Sequence, residues 1–231
     1  MIWIISIYLH LATMDITWIF INFVSVRLDV SVLSRMINKI NYFDEALISR
    51  YDTQGPRYTS YPTALQFHSG FGHEQYTEVA GLTNKVPKPR PLSLYIHLPF
   101  CSTVCYYCAC NKIITGNRSR AKPYLDDLHA EITIKGSLFN RNRIVDQLHW
   151  GGGTPTFIDD KQISRLMEVT RKNFSLRDDD HGEYSIELDP RETSPETIKL
   201  LRSLGFNRIS IGVQDFDQDV QKAVNRNQSE E

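Results

Sequence analysis

Leu92-Ser-Leu-Tyr-Ile-His-Leu-Pro-Phe-Cys101-Ser-Thr-Val-Cys105-Tyr-Tyr-Cys108-Ala-Cys110-Asn-Lys112 joins a strand-like run, Leu92 to His97, to a loop that carries all four cysteines of the 231-residue chain. Thiols gathered in one short loop, the first three spaced C-x3-C-x2-C, read as a metal or iron–sulfur site. A disulfide scaffold is excluded because no distant cysteine exists to pair with. Such a loop keeps free thiolates in a reducing compartment, which makes the cytoplasm the expected location.

Downstream of the loop, helical and strand-like patterns alternate. Ala121 to Leu138 reads as a helix, Ile144 to Trp150 as a strand and Asp159 to Phe174 as a helix. Glu183 to Leu188 (strand), Ser194 to Leu204 (helix, with Ser194 as N-cap before Pro195), Phe206 to Val213 (strand) and Asp217 to Val224 (helix) follow. Repeated strand–helix units imply a parallel sheet with covering helices, so the fold class is α/β. About four βα units fill residues 92–231, whereas a complete eight-unit barrel needs roughly 250 residues. The expectation is an incomplete barrel with one open parallel edge, carried by a fragment.

Upstream, residues 36–91 form an arm and linker. Phe43 to Tyr51 is amphipathic, Gly55-Pro-Arg-Tyr-Thr-Ser-Tyr-Pro62 favours an extended arm, and Pro87-Lys-Pro-Arg-Pro91 reads as a stiff connection. Residues 1–35 read as an apolar extension upstream of the true start, with Met36 as the candidate initiator. A membrane anchor, the alternative, is confined to residues 1–26, which approach the length of a span but carry His10, Asp15 and Asn22. With 26 basic and 27 acidic residues the formal charge is -1, which gives no argument for nucleic acid or anionic lipid as a partner.

Ligands of parallel α/β sheets gather at the carboxyl ends of the strands. Each of the four strands ends in a chemically distinctive segment: the cysteine loop, Gly151-Gly-Gly-Thr-Pro155, Glu187-Leu-Asp-Pro-Arg191 and Gly212-Val-Gln-Asp-Phe216. Three thiolates hold three irons of a cubane and leave the fourth open to a chelating small molecule. Zinc is the rival, but structural zinc favours paired C-x2-C halves, and only one residue separates Cys108 from Cys110. The glycine run lacks the Lys-Ser/Thr ending of a phosphate-binding loop.

The cysteine spacing at a strand end resembles the signature of the radical S-adenosylmethionine (SAM) enzymes. Tyr95 to Cys101, Cys110 to Thr115, His149-Trp-Gly-Gly-Gly-Thr-Pro155, Ser210 to Phe216 and the Gly55 to Thr63 arm together resemble the oxygen-independent coproporphyrinogen III oxidase family, over roughly Met36 to Glu231. The resemblance implies a partial radical SAM (β/α) barrel with an N-terminal extended arm. It implies a [4Fe-4S] cluster on Cys101, Cys105 and Cys108, with Cys110 a family marker and not a ligand. It further implies two SAM molecules, the first contacted by Tyr95, Gly152, Glu187 and Arg226, the second by Tyr107, Gly153, Thr154 and Gln214. Taken singly, Glu187 reads as a solvated strand-end charge and Arg226 as a surface cation; their joint placement raises them to site residues.

The implied reaction takes an electron from a low-potential donor and cleaves SAM to a deoxyadenosyl radical. In an oxidative decarboxylation the radical takes hydrogen from a propionate side chain of coproporphyrinogen III, carbon dioxide departs and a vinyl group remains, and two such events give protoporphyrinogen IX. The arm reads either as packing across the barrel mouth or, as the resemblance implies, as closing over the site, which makes Arg57 a candidate to meet a propionate; Tyr58 and Tyr61 read as packing. The alternatives are a haem chaperone of the same superfamily, from which Cys110-Asn-Lys112 and the Pro-Arg-Tyr arm differ, and a truncated, non-catalytic metal-binding fragment.

Overall fold

The computed structural model describes residues 5–7 as backbone, and 45–52 and 66–229 in full. The Gly55 to Thr63 arm with Arg57, Tyr58 and Tyr61, the candidate initiator Met36 and most of the apolar segment lie outside the described residues. The chain divides into two compact units, residues 11–71 and the remainder. Within the first, Glu45–Tyr51 (α1) is an exposed helix on the stretch expected to be amphipathic.

The second unit holds a sheet built from Ile5–Ile7 (β1), Leu92–Leu98 (β2), Ile144–Gly152 (β5), Glu183–Leu188 (β7) and Arg208–Ile211 (β8), in that spatial order. A short strand, Ser175–Leu176 (β6), pairs the start of β5. From β2 onward neighbours run parallel, and β1 adds antiparallel to β2. A separate parallel ladder joins Phe100–Cys101 (β3) to Ile113–Ile114 (β4), one at each end of the cysteine loop. The α/β class with a partial parallel barrel is thus borne out. Among the described residues β8 has a strand neighbour on one side only.

Side-chain parity separates the two faces of the sheet. Leu92, Leu94, Ile96 and Leu98 of β2, Leu148 and Trp150 of β5, and Tyr184, Ile186 and Leu188 of β7 are buried under the helices. Ala121–Ser137 (α3) covers them with Leu125, Leu128 and Ile132, and Asp160–Asn173 (α4) with Ile163, Leu166 and Met167. Each such aliphatic side chain contributes about 1.5–3 kcal/mol by leaving water. Gly136 lets α3 come close to α4, since a Cβ there would lie 2.8 Å from the Asn173 Cβ.

Three helix starts are capped by side chains: Ser194 as expected, and Asp159 and Asp217, which were expected inside their helices. The Asp159 carboxylate accepts the Gln162 N–H at 2.8 Å and the Gln162 side chain returns the bond, a capping box for α4. Ser194 accepts the Thr197 N–H at the start of Pro195–Ser203 (α5), and Asp217 accepts two N–H groups of Gln218–Ala223 (α6). One helix was not anticipated, His73–Asn84 (α2). The proline-rich linker after it is pinned by buried Arg143, which donates to the Arg90 carbonyl at 2.9 and 3.0 Å and to the Thr83 hydroxyl at 2.8 Å.

Candidate functional site

The inner face of the sheet, opposite the face packed against α3 and α4, carries Tyr95 and His97 on β2, His149 and Gly151 on β5, and Ser185 and Glu187 on β7. Register aligns Tyr95 with His149, His149 with Ser185, and His97 with Gly151. The Tyr95 and His149 rings stack at 5.6 Å and 15°. The Tyr95 hydroxyl lies 3.0 Å from His97 Nδ1, and His97 Nε2 lies 2.9 Å from the Asn111 carbonyl. A carbonyl only accepts, so His97 carries its hydrogen on Nε2 and takes the Tyr95 hydroxyl hydrogen on Nδ1.

Above this row, at the carboxyl ends of the strands, opens a cleft of about 240 Å³. Among the described residues, every cluster- and SAM-site residue expected from the sequence except Tyr95 lines it. Tyr95 lies on the strand face beside it, in contact with His97 and His149. A larger cleft, about 300 Å³, opens where β7 and β8 begin, among Arg171, Arg177 and Arg202. Each of those guanidiniums is already bonded to an aspartate, so that cleft presents no comparable donor set.

The cysteine loop is held from several directions. The Ile113 N–H donates to the Pro99 carbonyl and the Thr115 N–H to the Cys101 carbonyl, at 2.7 and 2.9 Å. Lys112 Nζ donates to the carbonyls of Cys108 and Cys110 at 2.8 and 3.3 Å. Far along the chain, the Val224 carbonyl accepts the Tyr106 N–H at 3.0 Å.

The thiols differ. Burial pushes the Cys101 thiol up, and the Thr154 hydroxyl, which donates to its sulfur at 3.7 Å, offsets only part of this. Burial also disfavours the Cys108 thiolate, but donors from the Cys110 backbone and thiol, with the Lys112 ammonium, outweigh it and hold Cys108 below the ordinary thiol range. Cys110 goes up, through burial and then its bond to Cys108. That split suits a Cys110 that stays protonated and donates to its neighbour.

Asp189 and Arg191 stand at the site although sequence reasoning singled out neither. Asp189, 5 % exposed, takes Arg191 bidentately at 2.9 and 2.7 Å and Arg226 at 3.2 Å. Burial raises its carboxyl and the two guanidiniums more than reverse that, holding it below the usual carboxylate range. Arg226, 9 % exposed, also donates to Cys105 Sγ at 3.5 Å and to the Gly212 carbonyl at 2.6 Å, while its Nε is buried without a partner. Pro190, between Asp189 and Arg191, starts the turn that brings Arg191 back onto Asp189.

The glycine run meets protein on its side-chain side. Gly152 has φ +118°, and a Cβ there would sit 2.6 Å from the His97 ring; at Gly153 it would sit 2.6 Å from the Phe100 carbonyl. The Gly152 N–H donates to Glu187 Oε2 at 3.2 Å. Burial opposes the Glu187 charge, but bonds from His149 and Gly152 hold its carboxyl below the usual range. Gln214 adopts φ +71° in the turn after β8.

Residues 95–231 match the Radical SAM superfamily. An oxygen-independent coproporphyrinogen III oxidase of Mannheimia haemolytica is 50 % identical over 148 residues, which cover 97 % of that protein and 64 % of this chain. The chain belongs to the radical SAM superfamily, in its oxygen-independent coproporphyrinogen III oxidase family. Within this radical SAM family, the Pseudomonas aeruginosa protein of that name is 54 % identical over 196 residues, covering 85 % of this chain and 42 % of its own length. The solved structure of the Escherichia coli radical SAM enzyme coproporphyrinogen III oxidase superposes with a TM-score of 0.70 at 49 % identity, over 81 % of this chain and 40 % of that one. The chain therefore spans about two fifths of the length of these fuller relatives.

Radical SAM membership implies a [4Fe-4S] cluster and SAM, and the donor set fits them. All four soft thiols line one cleft, the sulfurs of Cys101 and Cys105 accept hydrogen bonds from Thr154 and Arg226, and a buried guanidinium N–H there lacks a partner. Among the described residues no three metal-ligating side chains converge on a single-ion position, and no helix is long and apolar enough to cross a membrane.

Proposed function

We propose that this chain carries the cluster- and SAM-binding part of an enzyme that converts two propionates of coproporphyrinogen III to vinyl groups without oxygen, giving protoporphyrinogen IX. The reading rests on one observation: the C-x3-C-x2-C thiols, the Gly152–Gly153 turn, Glu187 and Arg226 line a single cleft at the strand ends. Cys101, Cys105 and Cys108 hold the cluster, and Cys110 does not. Tyr95, Gly152, Glu187 and Arg226 serve a first SAM, and Tyr107, Gly153, Thr154 and Gln214 a second. When bound, cluster and SAM supply a carbon-centred radical able to take hydrogen from an unactivated carbon.

The protein's own part is to bind, orient and shield. Glu187, kept ionised by its two donors, accepts from ribose hydroxyls. Arg226, whose guanidinium Asp189 keeps in place at the cleft, serves a carboxylate. No side chain is needed as acid or base for the central hydrogen transfer. A low-potential electron donor and the porphyrinogen are the partners, and the cytoplasm is the setting. All the fuller relatives quoted above carry the oxidase name, which favours this reading over a haem chaperone.

Anaerobic reconstitution with iron and sulfide, followed by SAM, reductant and coproporphyrinogen III, tests it. The expected result is about four irons per chain, a reduced-cluster EPR signal altered by SAM, and release of deoxyadenosine. Product is assayed in this chain and in one extended to its relatives' length. A cluster that leaves SAM intact in both chains sinks the enzyme reading. SAM cleavage with untouched porphyrinogen in the extended chain sinks the substrate.

A further inference from the structure

His149 lies between two residues assigned above to the first SAM. Its ring stacks on Tyr95, its Nε2 lies 3.2 Å from Glu187 Oε1, and its Nδ1 lies 2.6 Å from the Ser185 hydroxyl. An ionised carboxylate only accepts, so Nε2 carries a hydrogen toward Glu187, while Nδ1 pairs with the Ser185 hydroxyl, which also lies 3.5 Å from the Leu148 carbonyl. The other Glu187 oxygen receives the Gly152 N–H at 3.2 Å. Each carboxylate oxygen thus has one protein donor and lone pairs to spare, and the side chain remains 44 % exposed.

Gly151 makes this contact possible. His149 and Glu187 project from neighbouring strands, one row apart, and Gly151 follows His149 by two residues on the same face. A Cβ on Gly151 would stand 2.9 Å from His149 Nε2, 3.0 Å from Glu187 Cδ and 3.1 Å from Glu187 Oε1. The first is closer than real Cβ contacts essentially ever come, and the other two are tighter than nine in ten of them, so the His149 and Glu187 side chains would have to move apart from it. The first glycine of the triplet therefore keeps space open for a hydrogen bond between two side chains; a role in ligand approach is not required to explain it.

We propose that His149 is a positioning residue that fixes the Glu187 carboxylate for the ribose hydroxyls of SAM, and that Gly151 is needed for the two to meet. The inference rests on the reading that Glu187 contacts that ribose. A glutamate side chain has several rotors, and tying both oxygens to the scaffold before the ligand arrives removes the cost of ordering it on binding. Ser185 and Tyr95 hold the imidazole in the tautomer and plane that this requires.

The test uses the full chain with reconstituted cluster and compares binding of SAM with that of an analogue lacking both ribose hydroxyls. The wild type should prefer SAM by roughly tenfold to a hundredfold, as for hydrogen bonds to a charged group. In His149→Leu and Gly151→Ala the preference should fall to within about threefold at unchanged iron content, while His149→Gln, which retains an N–H, should keep most of it. A purely structural role would weaken both ligands alike and leave the ratio intact, and that result in His149→Leu overturns the proposal. If Glu187→Ala also keeps the wild-type preference, it is the ribose reading that fails. Independently of SAM, imidazole ¹⁵N NMR should show His149 as the Nε2–H tautomer, with that resonance moved by Glu187→Gln; an Nδ1–H tautomer overturns the proposal.

Discussion

The Asn225 side chain donates to the Val104 carbonyl at 2.7 Å, across 121 residues of sequence, and so ties the end of the described barrel to the cysteine loop. Asn225 is left-handed, at φ +55°, where Asn is better tolerated than Ala. Asn225→Ala loses the bond and strains the backbone, for about 1–3 kcal/mol together. Asn225→Gly loses only the bond. Thermal unfolding should rank wild type above the Gly variant and Gly above Ala, with Ala lower by several degrees; equal Ala and Gly midpoints would contradict the strain argument.

Asp189 gives a prediction with a pH sign. Its folded-state carboxyl is held below the usual range, so its contribution is complete above the unfolded value of about 4 and is lost as pH falls through the lower folded value. At neutral pH Asp189→Ala leaves two guanidiniums facing each other and should cost about 3–5 kcal/mol. Urea unfolding of wild type and variant should converge as pH is lowered past that window. A gap that persists in strong acid would mean that packing, not charge, is responsible.

Gly152 sits at φ +118° with its side-chain direction blocked by the His97 ring. Gly152→Ala should cost more than about 2 kcal/mol, because strain and clash act together. Combining it with His97→Ala, which empties that space, should recover the clash and leave the strain. A double-mutant cycle reads the coupling directly, and strict additivity would refute the contact.

Iron content separates the four thiols. Cys101→Ser, Cys105→Ser and Cys108→Ser should each lose most of the reconstituted cluster, whereas Cys110→Ser should retain it. The serine hydroxyl still donates toward Cys108, so the EPR signal should change little. A cluster lost from the Cys110 variant would make it a fourth ligand.

Much of the fold was legible because its signals are local. The alternation Leu92, Leu94, Ile96, Leu98 and the caps Asp159, Ser194 and Asp217 mark their elements within a residue or two. The helix His73–Asn84 was illegible for the converse reason: only Ala80 is buried, so it has no apolar stripe. Two-residue ladders such as Phe100–Cys101 with Ile113–Ile114 fall below any periodicity. At the site, loop thiols and glycines announce themselves, but His149 and Asp189 do not. A lone histidine in a strand carries no message until register places it beside Ser185, and Asp189 matters through Arg226, 37 residues away, a pairing that only the folded chain makes. The retrievable signal was parity, since His149, Ser185 and Glu187 are inner-face positions of strands already assigned, and Gly151 continues that parity one residue past the expected strand end.

The pairing of β3 with β4 means that the cysteine loop enters and leaves through a zipped neck. Closing a flexible loop of this size is an entropic cost that grows only slowly with length, by about 0.6 kcal/mol per doubling. Here it is met by the Ile113 and Thr115 backbone bonds before any metal arrives. An inorganic cluster therefore encounters a ring whose circumference is already set. Substitutions or insertions within the ring should alter its contents while leaving the neck intact, which lets the loop vary in chemistry independently of the barrel that bears it.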